Sequence, residues 1–296
     1  VSGMNADATA RILTADTLRY AAFTADPAGG NPAGVVLDAS GFGDAEMLAL
    51  AAEVGYSETA FVTRADVVRR RFSVRYFSPL AEVAFCGHAT VATAVALADR
   101  IGPGELLLDT PAGEIPVTTA RDGAGAVARA TLTSVATVSR PAEPAEVDAA
   151  LGALGWGRAD LDPELPPHVS FGGVRHLVLA ARSRERLGDL DYDFDGLAEV
   201  MRRYGWTTLQ LVWRETEREF HVRDPFPVGG VVEDPATGAA AAAFGGYLRT
   251  LGLVREPASI TLRQGEDMGR PSRLLVDVDP DDARVRVSGQ AVPIGR

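Results

Sequence analysis

The chain has 296 residues, a single cysteine and a formal net charge of −11. That length suits one large domain or two of roughly 150 residues, and one cysteine excludes an internal disulfide framework and fits a reducing cytoplasm. The acidity argues against nucleic acid or an anionic membrane as a partner, and apolar runs of about ten residues fall short of the roughly 18 a membrane span needs.

Residues 1–9 are small and polar, lack the basic-then-apolar pattern of a signal peptide, and are expected to fray. Arg19 to Thr24 reads as a strand, Gly29 to Gly34 as a turn or loop, and Val35-Val36-Leu37 as an apolar strand. Asp44 to Val54 has helical periodicity, with Met47, Leu48, Leu50, Ala51 and Val54 on one face. Strands are expected at Glu58 to Val62, Val74 to Phe77, Glu105 to Leu108 and Ile115 to Thr119. Between them, Gly87 to Arg100 is apolar nearly all round, the pattern of a helix buried at the centre of a domain. Arg121 to Ala128 carries turn residues, Ser139 to Pro144 reads as a loop or linker, and Asp162 to Pro167 as a Pro-rich loop. Thr237 to Gly252 is a second all-round apolar helix, and strands at Arg273 to Val278 and Ala283 to Val287 close the chain.

The second half repeats the order of the first. Gly55 to Val62 lines up with Gly205 to Val212 at an offset of 150, Val74 to Pro79 with Val222 to Pro227 at 148, and Gly87 with Gly238 at 151. A weaker echo joins Asn31 to Leu37 and Gly173 to Leu179. A repeat this long makes each unit a domain. The expected fold class is α+β: two pseudo-symmetric domains, each a mostly antiparallel curled sheet around one apolar helix. The domains are expected at 1–128 and 129–283, with a C-terminal strand of about 284–296 returning to the first. Ligand sites favour domain interfaces, so a cleft flanked by the two helix heads is the expected site.

Several residues could carry chemistry there. Glu58 stands at the mouth of a strand among apolar and small neighbours. Partial desolvation raises a carboxyl pKa and suits it to take and return a proton; the alternative is a strand-end charge facing water. His88, in the first turn of its helix, is either a donor to a substrate oxygen or a polar helix-start residue. Cys86, just before that helix, is either an activated thiol or a small packing residue. Asp234 and Thr237, before the second helix, either cap it or, on the functional reading, Asp234 is a carboxylate aimed into the cleft close to a backbone anion nest. The backbone N–H groups at both helix heads can receive an anion. The four histidines lack metal-ligand spacing, and no Walker, dinucleotide or GxSxG motif is present, so no metal is expected.

Taken together, these segments resemble the PhzF-like isomerases of phenazine biosynthesis, which share the diaminopimelate epimerase fold. The resemblance rests on Phe23-Thr24 with Gly30 to Val36, Ser57 to Val62, Arg75 to Pro79, Glu82-Val83 with Phe85 to Thr90, Glu233 to Ala240, and Gln264-Gly265 with Gly269 to Ser272. It implies a cofactor-free isomerase, commonly a homodimer, that acts on a small, carboxylate-bearing metabolite. The family's catalytic glutamate falls on Glu58 and its supporting residues on His88 and Asp234. Substrate contacts fall on Asn31, Gly87, His88, Thr237, Gly238 and Ala239. Two departures stand out. Racemases of this fold use one cysteine from each half, and the second half here has none. Where phenazine enzymes commonly have serine after the Thr-Gly pair, this chain has Ala239. An amino-acid racemase or epimerase, and a binding protein of the same fold without turnover, are the rival readings.

Overall fold

The computed structural model describes residues 16–121, 123 and 128–295. Residues 1–9 and most of the turn expected over Arg121 to Ala128 lie outside them. The chain divides into two compact units.

One unit runs to Leu132 and regains the chain from Ser288. It holds β1 (Thr17–Ala22), β2 (Asn31–Val36), helix α1 (Asp44–Val54), β3 (Thr59–Asp66), β4 (Arg71–Phe77), β5 (Glu82–Val83), helix α2 (Gly87–Ile101), β6 (Gly104–Thr110), β7 (Gly113–Arg121) and, at its boundary, β8 (Ala128–Thr133). Strands β1 and β2 pair antiparallel, β2 and β3 parallel, β3 and β4 antiparallel, β4 and β6 parallel, and β6 and β7 antiparallel. Each parallel pair needs a crossover, and α1 and α2 supply them. Side chains alternate between sheet faces. Val36, Phe61 and Phe77 therefore share one face and pack with Met47, Leu50 and Ala51 of α1. Helix α2 lies against β1, β2, β3 and β7, buried without a break from His88 to Ala98.

The other unit, Thr133–Val287, holds β9 (Val138–Pro141), α3 (Pro144–Leu154), β10 (His168–Phe171), β11 (Arg175–Ala180), α4 (Arg184–Gly188), α5 (Phe194–Tyr204), β12 (Thr208–Thr216), β13 (Glu219–Phe226), β14 (Val231–Asp234), α6 (Gly238–Thr250), β15 (Ala258–Gln264) and β16 (Ser272–Val278). Its pairings follow the same order: β10 and β11 antiparallel, β11 and β12 parallel, β12 and β13 antiparallel, β13 and β15 parallel, β15 and β16 antiparallel. Helix α6 lies against β9, β10 and β16. Leu151 and Leu154 of α3 and Leu197 and Met201 of α5 form a second core with Leu177, Leu179, Leu209 and Leu211. The last strand, β17 (Val285–Pro293), ends alongside β1, antiparallel to it.

Two segments read as loops are strands. Val138–Pro141 pairs with β10, a partner about thirty residues away that local turn chemistry does not reveal. Asn31 to Gly34 belongs to β2, between β1 and β3. Gly34 stands opposite Thr59, and a Cβ there would lie 2.6 Å from the Thr59 hydroxyl oxygen. That glycine permits close strand packing, so it does not mark a turn. Among the described residues no helix is long and apolar enough to cross a membrane.

His176, on β11, is fully buried; its Nδ1 lies 2.8 Å from the Thr208 hydroxyl, and its Nε2 has no hydrogen-bond partner among the described residues. Burial pushes its pKa down to about 3. A depressed folded-state pKa gives stability that is present above the unfolded value near 6.5 and lost as pH falls toward the folded one. Between those limits the ring should cost about 1.4 kcal/mol of stability per pH unit. His176→Met should flatten this slope in urea titrations at pH 6.5, 5.5 and 4.5; identical slopes would refute the assignment.

Candidate active site

Glu58 immediately precedes β3, and its carbonyl accepts a hydrogen bond from the Gly34 N–H of the adjacent strand. His88 is the second residue of α2, after Cys86 in the N-cap position and Gly87. The fold brings the two side chains together: His88 Nε2 lies 3.3 Å from Glu58 Oε2. His88 is 6% exposed, whereas the Glu58 side chain keeps 17% of its surface open. The acid therefore reaches solvent while the imidazole stands behind it.

Asn31 completes the arrangement from β2. It is 1% exposed, and its side-chain amide donates to His88 Nδ1 at 3.1 Å. With Nδ1 accepting, the neutral ring carries its proton on Nε2. That N–H points at Glu58 and at the Ser57 hydroxyl, also 3.3 Å away. Ser57 was not singled out in the sequence as a site residue; its place beside Glu58 was the available signal. Cys86 Sγ lies 3.4 Å from Nδ1 and 3.7 Å from Nε2 of the same ring.

Glu58, Cys86 and His88 each offer a donor atom, all within 4.8 Å of one another, a grouping that could hold a metal ion. Sequence spacing missed it because Glu58 is remote from the Cys-Gly-His segment. The Asn31 bond, however, leaves a proton on the nitrogen nearest Glu58, where a ligand would need a bare lone pair. The arrangement fits a hydrogen-bonded acid–imidazole pair better than a metal centre.

In the second unit, Asp234 ends β14 and Thr237 is the N-cap residue of α6. The Thr237 side chain makes no cap bond. Its hydroxyl donates instead to Asp234 Oδ2 at 2.6 Å. Gln264, 1% exposed at the end of β15, ties the segment down. Its amide nitrogen donates to the Asp234 carbonyl at 2.8 Å and to the Thr237 hydroxyl at 3.1 Å, while its oxygen accepts from the Thr237 N–H. The next residue, Gly265, has φ 74°, and a Cβ there would meet the Arg270 carbonyl at 2.3 Å. Glycine is required at that turn. A Gln-Gly pair closing a strand was the sequence signal for this anchor. Gly238 and Ala239 follow Thr237 in the first turn, where helix geometry leaves N–H groups without intrahelical acceptors. The head of α2 presents Gly87 and His88 in the same way.

The chain matches the family described as "Phenazine biosynthesis-like protein" over residues 20–295. It is 35% identical over 294 residues to an uncharacterized isomerase of Deinococcus radiodurans, covering 96% of this chain and 93% of that protein. It is 30% identical over 267 residues to trans-2,3-dihydro-3-hydroxyanthranilate isomerase of Pseudomonas aeruginosa, covering 89% and 90%. A crystal structure of a PhzF-family phenazine biosynthesis protein from Bacillus anthracis superposes with a TM-score of 0.84 at 26% identity, covering 94% of this chain and 96% of that one.

Proposed function

This chain belongs to the phenazine biosynthesis-like isomerase family, and from that premise we propose that it shifts a proton between two carbons of a small, carboxylate-bearing metabolite, displacing a C=C bond without a cofactor. The observation that carries the reading is the Glu58–His88–Asn31 chain: a partly open carboxylate against a buried imidazole whose proton is directed at it. Glu58 takes the proton from one carbon and returns it to another on the same face of the substrate. His88 and Asn31 hold Glu58 in place through the transfer. The relative named for isomerising trans-2,3-dihydro-3-hydroxyanthranilate supports the reaction class, and Ala239 in place of serine favours a different substrate. Backbone N–H groups at the α2 head, Gly87 and His88, stabilise negative charge developing on the substrate. Thr237, Gly238 and Ala239 offer an anion contact at the α6 head, with Asp234 in a supporting role. The working form is a homodimer in the cytoplasm, on the same proposal.

The test is incubation with trans-2,3-dihydro-3-hydroxyanthranilate and a series of small unsaturated carboxylates in deuterated water, read by NMR. A displaced double bond with label at the newly saturated carbon is the expected result. Label at an unmoved stereocentre with inverted configuration would identify a racemase or epimerase. Saturable binding with every compound recovered unchanged would identify a binding protein.

A further inference from the structure

Asp224 lies on β13 beside the α6 head and is completely buried. In the antiparallel β13–β14 pair it stands directly opposite Asp234. Opposed residues in such a pair project from the same face of the sheet, where like charges repel. The adjacent cation does not offset them: the Arg223 guanidinium, one residue back on the strand, is engaged by Glu233 at 2.7 and 3.0 Å.

From β12, one polar end of the Gln210 amide lies 2.9 Å from Asp224 Oδ1 and 3.0 Å from Oδ2; its carbonyl oxygen accepts there from a protonated Asp224, and its NH2 would donate there to an ionised one. From the α6 head and β15, Thr237 and Gln264 also hydrogen-bond to the Asp224 carboxyl, which favours its charged form, and they bond to Asp234 and to each other as well. The groups facing Asp224 are thus two neutral amides, one hydroxyl and the acids Asp234 and Glu233. A carboxylate in such surroundings is expensive to ionise. We propose that Asp224 and Asp234 form a carboxyl pair that holds one proton at neutral pH, with the proton on Asp224, so that Asp224 is the positioning residue that keeps Asp234 anionic at the head of α6.

Asp234 is the more exposed partner and accepts the Thr237 hydroxyl, so the negative charge resides there. Burial, with the neighbouring Asp234 and Glu233 charges, pushes the Asp224 carboxyl well above the usual range, against the lowering effect of Thr237 and Gln264. The inference does not rest on the proposed reaction, because its readout is the proton itself.

The experiment is a pH titration of protein carrying ¹³C-labelled aspartate, as wild type, Asp224→Asn and Asp234→Asn. At pH 7 one buried aspartate Cγ should sit at the protonated position, and that resonance should vanish in Asp224→Asn. Removing the opposing charge in Asp234→Asn should lower the Asp224 titration midpoint by about one pH unit or more. A purely structural Asp224 would not respond to its partner in this way. If Asp224→Asn does not fold, infrared spectra of the wild type alone still decide the matter. A protonated-carboxyl stretch at pH 7 is expected, and carboxylate bands alone would overturn the proposal. A protonated resonance unmoved by Asp234→Asn would overturn the pairing.

Discussion

Glu58→Gln should lower turnover by roughly 10²–10⁴-fold, the range typical of a general acid–base group, while leaving unfolding and substrate binding almost unchanged. That range corresponds to about 3–5 kcal/mol of transition-state stabilisation. Glutamine keeps the shape of the side chain, and its carbonyl oxygen can still accept from the His88 Nε2–H, 3.3 Å away in the native pair. What it loses is the ability to accept a proton and release it again. His88→Ala should cost less, because the imidazole orients the acid and does not carry the proton. Steady-state rates alongside thermal unfolding of both variants check this. A Glu58→Gln enzyme that retains a tenth or more of the wild-type rate would remove Glu58 from the mechanism and leave Cys86 or Asp234 as the acid–base candidate.

The largest effect on stability is expected from Arg223→Met. Arg223 and Glu233 form a bidentate pair, with side chains 11% and 4% exposed, and Arg223 Nη1 also donates to the Gly188 carbonyl at 2.8 Å. Removing the guanidinium strands a buried carboxylate and a buried carbonyl together. Breaking a buried ion pair from one side typically costs about 3–5 kcal/mol, whereas replacing both partners with apolar residues of similar volume is often neutral. Arg223→Met should therefore lower the urea midpoint sharply, and the double variant Arg223→Met/Glu233→Leu should recover most of the loss. If the double variant were as unstable as the single one, the cost would come from lost packing around the arginine stem and not from the stranded charge.

The parts of this fold that were legible in the sequence are those whose signal is local. Helix α1 runs over Asp44–Val54 as its periodicity indicates, and it stops at Gly55, whose φ of 73° suits glycine. Helix α2 declares itself because it is buried all round and carries no polar stripe to confuse its reading. Helix α3 escaped notice because it opens at Glu143, a residue outside the usual N-cap set, with Glu146 accepting from the Glu143 N–H. Strand β9 escaped because its partner is remote in the chain.

The candidate site divides in the same way. Glu58 and His88 were visible as residues with suitable chemistry at element ends. Their contact was not visible, nor was the role of Asn31 behind the ring. Both depend on β2 running beside β3 and on α2 being buried against that pair. The Thr237 hydroxyl could be expected to accept from the first N–H groups of its own helix, but it accepts from the Gln264 amide and donates to the Asp234 carboxylate. Asp224 lies in the repeated segment Val222 to Pro227, which carries no local sign of a buried acid. Its burial arises only when β12 and β14 close on either side of β13.

The central claim is that one carboxyl carries a proton from one carbon of the substrate to another. The most direct measurement is a single turnover in ordinary water of a substrate deuterated at the carbon that is to lose its proton, with the product analysed by mass spectrometry and ²H NMR. A displaced double bond is expected, with a measurable fraction of the deuterium at the newly saturated carbon, delivered there by Glu58 before exchange with solvent is complete. Deuterium replaced by hydrogen at the original carbon, with inverted configuration and no displaced double bond, would contradict it.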